Sequence, residues 1–145
     1  MKASELMTGD PVTLTADDTV KRAAELMRDH DVGLIPIVED TMTARLTGVI
    51  TDRDIALRCV AEGRKTDCRI GDVMSTDDIA RAGPDDSVDA IERRMRDRQV
   101  RRIPVVADDG RLVGIVAQAD LARSEDAKSV GQTVEDISRP ASVRA

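Results

Sequence analysis

An α/β (α+β) fold made of two copies of one strand-helix-strand-strand-helix unit is predicted by three features of the sequence. The first is an internal repetition that spans most of the chain. The second is a change of hydrophobic period within each copy, from helical spacing to short apolar runs rich in Val and Ile. The third is composition, because 41% hydrophobic and 34% charged residues in a chain of 145 suit a soluble folded protein.

The repetition consists of short segments that recur in the same order at nearly constant spacing. The matching segments are 17–20 with 85–88, 27–29 with 95–97, 35–38 with 103–106, 48–50 with 114–116, and Asp54 with Asp120. A small difference in length falls in the polar stretch before the glycine, where a hairpin loop absorbs it. A tandem duplication of one structural unit follows from this pattern.

Each copy begins with a short extended segment and an amphipathic helix. The extended segments are residues 12–15 and 79–81, and each precedes an acidic cluster that can cap a helix. Apolar residues then recur at helical spacing. They are Val20, Ala23, Ala24 and Met27 in the first copy, and Val88, Ile91 and Met95 in the second. We expect Met27 and Met95 to lie in the core.

Two apolar β-branched runs and a second helix complete each copy. The runs are residues 34–38 and 46–50 in the first copy, and 103–106 and 112–116 in the second. The second helix begins near Asp52 or Ala119. Because a proline stands inside the first run of each copy, we expect those strands to be edges or to start irregularly.

The boundaries follow from the repeats and from the polar stretch between them. We predict a first repeat with its short helical lead at residues 1–62, a linker at 63–72, and a second repeat at 73–126. Residues 127–145 are predicted to form a helical tail that frays at its end.

These two copies resemble paired cystathionine beta-synthase-type (CBS) domains, a pair often called a Bateman module. The resemblance rests on apolar-Pro-apolar in the middle strand and Gly-apolar-apolar-x-x-x-Asp in the next. Residues 48–55 are close to the form seen in many small stand-alone bacterial members of this family. The resemblance covers about Ser4 to Ser124 and implies two repeats packed pseudo-two-fold, with the ligand cleft between them. It also implies a homodimer, formed through the helices.

The resemblance implies a regulatory ligand of the adenosine type: AMP, ADP, ATP or S-adenosylmethionine. In such domains the Asp that closes the glycine motif takes the ribose hydroxyls, which points to Asp54 and Asp120. A hydroxyl three residues after the glycine binds phosphate, which is Thr51 in the first copy but is replaced by Ala117 in the second. Adenine lies against strand residues. The candidates for that contact are Val12, Thr13, Ile35, Pro36, Ile79, Ala80, Ile103 and Pro104.

A basic residue before the middle strand often contacts phosphate in this family, and here Arg101 and Arg102 hold that position. The first copy has no arginine there. We therefore expect one competent site around Thr51 and Asp54, with Arg101 or Arg102 reaching across. The site at Asp120 is expected to be weak, empty or selective for a ligand without phosphate.

The chemistry of these residues is suited to such a ligand, and it has structural alternatives. A carboxylate accepts the two hydroxyls of a ribose, and an arginine fork matches a phosphate. Asp54 and Asp120 also open helices, where a carboxylate interacts favourably with the helix dipole. Arg101 and Arg102 could equally be salt-bridge partners in an acidic protein.

Several function classes are disfavoured. The chain shows no paired nucleophile and base, no phosphate-binding glycine loop and no metal-ligand spacing, so we expect neither an enzyme nor a required cofactor. A net charge of −6 and the lack of Phe, Trp and Tyr disfavour nucleic acid. No apolar run approaches the roughly 18 residues of a membrane span, and the N-terminus does not resemble a signal peptide. We expect no membrane partner and a cytoplasmic protein.

Two function hypotheses remain. The first is a ligand-sensing module that signals in trans to an unidentified protein partner. The second is a ligand-free scaffold or stress-response interaction protein. Cys59 and Cys68 are interpreted as structural thiols or as a disulfide or redox pair, and His30 as a solvated residue at a helix end.

Overall fold

Apart from the first strand of each copy, the helices and strands follow the order that the duplicated pattern predicts. The computed structural model describes residues 1–123. Its helices are α1 (Ala3–Leu6), α2 (Val20–His30), α3 (Asp52–Asp54), which continues as a π-helix (Ile55–Val60), a 3₁₀ turn (Ile70–Asp72), α4 (Val88–Arg98) and α5 (Gln118–Leu121). Its strands are β1 (Thr8–Gly9), β2 (Leu34–Val38), β3 (Leu46–Thr51), β4 (Arg102–Val106) and β5 (Leu112–Ala117). The α/β (α+β) fold class is confirmed, and the tail predicted for residues 127–145 lies outside the described residues.

The chain divides into two compact units that do not follow the order of the repeats. The Asp54 unit contains Val12–Ile79 and Gly110–Leu112. The Asp120 unit contains Met1–Pro11, Ala80–Asp109 and the described residues from Val113 onward. The lead segment of the first repeat therefore folds with the second repeat, and the lead segment of the second repeat folds with the first.

Helices α2 and α4 begin and end in the same way in the two units. The hydroxyls of Thr19 and Ser87 each accept a backbone N–H from three residues further on, at 3.1 and 3.2 Å. Such side-chain caps satisfy one of the free N–H groups of a first helical turn. Each helix ends at a residue in the left-handed region, Asp31 (φ 53°) and Gln99 (φ 52°), which turns the chain toward the next strand.

Each unit has its own aliphatic core. Met27 and Met95 both belong to these cores, as predicted. Ala24, which was predicted to share the buried stripe of α2, is exposed, and Leu26 is buried instead. The apolar stripe of α2 is therefore rotated slightly from the predicted one, because the larger Leu26 side chain buries more apolar surface than Ala24 would.

The first strand of each copy is shorter than predicted. Leu14 forms a single parallel bridge to Ile37 of β2, and Ala82 forms the matching bridge to Val105 of β4. The full antiparallel partner of β2 is β3, whereas β5 lies between β1 and β4 in the other sheet. Pro36 is tolerated inside β2 because it has no N–H to donate, and only its carbonyl is used, by the Leu14 N–H at 3.3 Å. Among the described residues, no helix combines the length and apolarity that a membrane span requires.

Candidate ligand site

The turn from β3 into α3 holds Thr51 and Asp54 in a reciprocal arrangement. The Asp54 N–H donates to Thr51 Oγ1 at 3.0 Å, and the Thr51 N–H donates to Asp54 Oδ2 at 3.0 Å. This is a capping box, which is formed by residues three positions apart and is therefore written into the local sequence. It fixes the Asp54 carboxylate at the start of the helix, where the dipole favours negative charge.

Ser75 brings a hydroxyl donor to the Asp54 carboxylate. Its Oγ lies 3.1 Å from Asp54 Oδ1 and 3.2 Å from Oδ2, and donates to both. Ser75 is placed there by a two-way backbone pairing with Val49 of β3, at 3.0 and 2.8 Å. The carboxylate of Asp54, a residue with only 8% of its surface exposed, is thus satisfied by hydroxyl and amide donors.

The absence of a side chain at Gly48 permits this pairing. A Cβ at that position would lie 2.5 Å from the carbonyl oxygen of Ser75 and would also overlap the end of the Met74 side chain. The glycine of the Gly-apolar-apolar motif therefore serves a close approach of two backbone segments. It is needed for Ser75 to reach Asp54.

Arg58 completes this group of residues, which we call the Asp54 cluster (Thr51, Asp54, Arg58 and Ser75). Its Nε lies 3.9 Å from Asp54 Oδ1, and its guanidinium donates to the carbonyls of Met74 (3.1 Å) and Val73 (3.4 Å). The Arg58 side chain is half exposed, so this ion pair is screened by solvent.

Thr51 and Asp54 were predicted from the sequence, whereas Ser75 and Arg58, which contact Asp54, were not. A signal for Ser75 was present, since the two lead segments both carry a Met followed by a hydroxyl residue. Arg58 lies one helical turn after Asp54, a spacing at which opposite charges meet.

The corresponding group in the other unit is the Asp120 cluster (Ala117, Asp120 and Arg123). The Ala117 N–H donates to Asp120 Oδ2 at 2.7 Å, and the Arg123 guanidinium forms a close ion pair with Asp120 Oδ1. Ala117 has no side-chain oxygen to accept the Asp120 N–H in return. Thr8 occupies the place of Ser75, because it pairs with Ile115 as Ser75 pairs with Val49.

Arg101 and Arg102 belong to the Asp120 unit. The Arg101 carbonyl accepts the Gln118 N–H at 2.9 Å, which places its backbone beside the start of α5, two residues before Asp120. Its side chain is exposed, whereas Arg102, the first residue of β4, is half-buried. In the Asp54 unit the same bond runs from the Asp52 N–H to the Gly33 carbonyl, also at 2.9 Å.

The residues predicted to contact adenine divide between the units. Val12, Thr13, Ile35, Pro36 and Ile79 lie in the Asp54 unit, and Ala80, Ile103 and Pro104 lie in the Asp120 unit. Ile35 and Ile103 are completely buried core residues, so neither presents surface to a ligand in this structure. Thr13 and Ala80 are partly exposed and neighbour the bridges to β2 and β4.

No group of three or more His, Cys, Asp or Glu side chains within residues 1–123 is arranged to hold a metal ion. Cys59 and Cys68 are free thiols in that part of the chain. His30 is exposed at the last position of α2, as expected for a solvated imidazole.

The sequence model of the CBS domain matches residues 3–60 and 70–126. The CBS domain-containing protein YhcV of Bacillus subtilis is 40% identical over 135 residues, which cover 92% of this chain and 93% of that protein. Hypoxic response protein 1 of Mycobacterium tuberculosis is 34% identical over 138 residues, covering 95% of this chain and 94% of its own length.

Solved structures of CBS domain pairs have the same fold. The CBS domain pair of protein MJ0100, in complex with 5′-methylthioadenosine and S-adenosyl-L-methionine, has a TM-score of 0.72 and 30% identity, covering 85% of this chain and 94% of that one. The CBS domain protein PAE2072 from Pyrobaculum aerophilum, complexed with AMP, has a TM-score of 0.76 and 26% identity, covering 88% and 95%. The family model matches most of the chain in two copies, and the relatives match over almost their whole length. The chain therefore belongs to the CBS domain family, as a tandem pair of repeats.

Proposed function

We propose that this chain is a regulatory module that binds an adenosine-type ligand, AMP, ADP, ATP or S-adenosylmethionine, and signals in trans to a protein partner. The observation that carries the proposal is the Asp54 cluster, in which one carboxylate and two hydroxyls are held together at the end of a strand. The proposed role is regulatory rather than catalytic, requires no cofactor, and keeps the cytoplasmic location expected from the sequence.

The Asp54 carboxylate has capacity left for a ligand hydroxyl. Each carboxylate oxygen offers two lone pairs. Oδ2 accepts the Thr51 N–H and shares the Ser75 hydroxyl, whereas the hydrogen bonds of Oδ1 come from Ser75 alone, with Arg58 further away at 3.9 Å. A ribose hydroxyl can therefore bond to Oδ1, or displace Ser75 from it, without leaving a buried charge unpaired.

Thr51 supplies the group expected at a phosphate. Its Oγ1 accepts the Asp54 N–H, so its own hydrogen is the part of the hydroxyl that can be donated to an anionic oxygen. The ribose and phosphate groups of one nucleotide would then be recognised by residues three positions apart. Support for the ligand class comes from the relatives solved with S-adenosylmethionine and with AMP.

The Asp120 cluster is proposed as the weaker site. Its carboxylate is already ion-paired with Arg123, and Ala117 offers no hydroxyl. Arg101 and Arg102 remain the residues proposed to contact phosphate; both belong to the Asp120 unit, where the Arg101 side chain is exposed. That one of them reaches Thr51 and Asp54 stays a prediction. The proposed contacts to adenine are Thr13 in one unit and Ala80 in the other, both partly exposed, whereas the candidates Pro36 and Pro104 are buried like Ile35 and Ile103.

A thermal-shift panel with AMP, ADP, ATP and S-adenosylmethionine tests the proposal. At a ligand concentration of about 100 Kd, binding adds about 2.7 kcal/mol to the free energy of unfolding, which raises Tm by several degrees. We expect Asp54→Asn to lose this rise and the matched variant Asp120→Asn to keep most of it. Each variant is compared with its own melting temperature without ligand.

Protein that is folded and free of bound nucleotide, yet shows no rise with any of the four ligands, would contradict the proposal. Loss of the rise in Asp120→Asn rather than Asp54→Asn would move the working site to the other unit.

The ligand-free scaffold is the second candidate, and one observation favours it. The carboxylates of both clusters already have protein partners, so neither needs a ligand to be stable. One relative carries the name Hypoxic response protein 1, which is compatible with the stress-response alternative. This candidate predicts that the four ligands leave Tm unchanged while a protein partner is still bound.

A homodimer is proposed to form through the helix that follows the Asp54 cluster. Within the π-helix Ile55–Val60, Leu57 is 47% exposed and Val60 is 66% exposed, and Ala56 lies beside them. Apolar side chains of this size on one helix face are common at subunit contacts. Light scattering on the variant Leu57→Glu tests this, since a dimer formed here would dissociate, and an unchanged mass would contradict it.

A further inference from the structure

The two cysteines of the chain lie in contact within the Asp54 unit. Cys59, near the end of the π-helix, is completely buried, and Cys68, in the segment that follows, is partly exposed. Their sulfurs are 3.7 Å apart, and both are free thiols. They are separated by nine positions in sequence, so the contact depends on how the intervening segment folds.

Backbone hydrogen bonds fix both ends of this segment. The Cys59 carbonyl accepts the Arg64 N–H at 2.9 Å, and the Cys68 N–H donates to the Lys65 carbonyl at 3.1 Å. The Cys68 carbonyl in turn accepts the Val20 N–H at 2.9 Å, which attaches the segment to the first turn of α2. The two thiols are thus held facing each other by the fold rather than by chance proximity of mobile side chains.

The separation of the two sulfurs is modestly longer than a disulfide bond. A disulfide needs its sulfurs at about 2.05 Å, so the pair must approach by somewhat less than 2 Å. One thiol is accessible and the other is not, which separates the roles that the two sulfurs can take. An accessible thiolate can attack an external disulfide. A buried thiol can react only with the neighbouring cysteine sulfur.

We propose that Cys59 and Cys68 form a redox-active dithiol that closes reversibly to an intramolecular disulfide, with Cys68 as the attacking sulfur and Cys59 as the resolving one. The oxidant is a low-molecular-weight disulfide. The Cys68 thiolate attacks one of its sulfurs and releases one small thiol, forming a mixed disulfide on Cys68. Cys59, having lost its proton, then attacks the Cys68 sulfur and releases the second small thiol. The protein loses two protons and two electrons, which the two released thiols carry.

The surroundings of Cys68 set the expected rate. Burial and the contact with Cys59 raise the pKa of the Cys68 thiol, so little thiolate is present at neutral pH. Oxidation should therefore be slow at pH 7 and should accelerate as the pH rises. A thiol of high pKa is also a poor leaving group, so the disulfide, once formed, should resist reduction.

Equilibration with mixtures of reduced and oxidised glutathione tests the proposal, in native buffer and in urea, followed by alkylation and intact mass measurement. The expected product is a monomer that is lighter by two hydrogens and carries no alkyl group. In the unfolded chain the two thiols meet only as ends of a flexible loop. The native protein should therefore favour the disulfide by about tenfold or more over the unfolded chain. The oxidised protein should accordingly melt at a higher temperature than the reduced one.

Two single variants separate the roles of the sulfurs. Cys59→Ala should accumulate the glutathione mixed disulfide on Cys68, because no resolving thiol is present. Cys68→Ala should leave the buried Cys59 unmodified on the same timescale. The comparison of native and urea conditions uses the wild-type chain, so it decides the question even if a variant folds poorly.

An equilibrium constant no larger in native buffer than in urea would overturn the proposal, as would disulfide-linked dimers as the main product. Modification of Cys59 in Cys68→Ala as fast as that of Cys68 in Cys59→Ala would overturn the assigned roles. None of these outcomes depends on whether the chain binds an adenosine ligand.

Discussion

The Asp54 and Asp120 clusters place the same residue at the same point of the repeat and satisfy it in different ways. In both, the carboxylate accepts the backbone N–H of the residue that precedes the helix, at 3.0 Å for Thr51 and 2.7 Å for Ala117. The Asp54 carboxylate receives its side-chain hydrogen bonds from Ser75, whereas Asp120 is paired with Arg123. A hydroxyl donor can be exchanged for a ligand hydroxyl at little cost, but an ion pair at a buried carboxylate cannot.

This difference indicates that duplication preserved the backbone while the partners of the carboxylate diverged. The glycine and the Asp of the motif are structural in both units, since they fix a close strand contact and a helix start. Under the proposed function, ligand binding depends on the neighbours of the Asp. The presence of the motif alone therefore does not show that a given repeat binds a ligand.

The largest expected effect is a difference in stability between alanine variants of Gly48 and Gly114, the glycines of the two motif copies. Gly48→Ala places a Cβ 2.5 Å from the Ser75 carbonyl, a backbone atom that can move only with its strand. Gly114→Ala meets the Sδ and Cγ atoms of Met7, which another rotamer can move, and its Cβ at 3.0 Å, which requires only a small shift of the backbone. We expect a loss of about 3 kcal/mol in the free energy of unfolding for Gly48→Ala and about 1 kcal/mol for Gly114→Ala, measured by urea denaturation. Equal losses would show that the two strand contacts are equally adaptable.

The sequence predicted the parts of this comparison that are local. Thr51 and Asp54 are three residues apart, so their capping box could be recognised from residue types and spacing. The contact between Ser75 and Asp54 spans 21 positions and exists only because Ser75 pairs with Val49. No pattern of hydrophobicity specifies that register.

The first strands and the helix stripe were predicted less well for a similar reason. Leu14 and Ala82 each make one bridge rather than a strand. The residue that follows each of them, Thr15 or Gly83, donates its N–H to an aspartate three positions further on instead of to the sheet. Ala24 is exposed although its spacing fits the stripe, since small side chains carry little information about which face of a helix is buried.

The next largest effect is the loss of stability expected when the hydroxyl donor of the Asp54 cluster, Ser75, is removed. Ser75→Ala removes the side-chain hydrogen bonds of a carboxylate that is almost fully buried. Losing a hydrogen bond to a charged group should cost about 1.5 kcal/mol. The matched variant Thr8→Ala removes an exposed hydroxyl at the equivalent position and should change stability by less than about 0.5 kcal/mol. Urea denaturation of both variants measures the difference.

If Thr8→Ala were as destabilising as Ser75→Ala, the hydroxyl at this position would matter for the strand contact and not for the carboxylate. Removing the carboxylate in the background of Ser75→Ala would then show additive losses, rather than the coupling expected for a direct hydrogen bond.

A smaller effect, this time a gain in stability, should follow from giving the Asp120 cluster the threonine of the Asp54 cluster. Ala117 has φ −107° and ψ 161°, close to the φ −115° and ψ 162° of Thr51, so a threonine at this position can adopt the same capping geometry. We expect Ala117→Thr to stabilise the chain by about 0.5 kcal/mol and Thr51→Ala to destabilise it by about 1 kcal/mol. Thermal denaturation checks both signs, and a loss of stability in Ala117→Thr would mean that the two helix starts differ in packing.

The smallest effect concerns the loops that precede α2 and α4, where the two units again differ by one arginine. Asp18 accepts the Thr15 N–H at 2.8 Å, and Asp86 accepts the Gly83 N–H at 2.7 Å but also pairs with Arg94 at 2.5 Å. The hydrogen bond from the Gly83 N–H, and to a smaller extent the pairing with Arg94, hold the pKa of Asp86 below its ordinary value. A carboxyl group with a lowered folded pKa stabilises the protein above its unfolded pKa, and this contribution is lost as the pH falls through the folded pKa.

Wild type should therefore exceed Asp86→Asn in stability by less than about 0.5 kcal/mol at pH 7, because solvent screens the pair with Arg94, and the difference should shrink below about pH 4. Urea denaturation between pH 7 and pH 3 measures it. Asp85→Asn is the matched control, because the Asp85 side chain is 87% exposed and lies 3.5 Å from a similarly exposed Lys2. A difference for Asp86→Asn that stayed constant down to pH 3 would have to come from the shape of the side chain and not its charge. The loops before α2 and α4 would then be equivalent in their electrostatics, and Arg94 would not distinguish the two units.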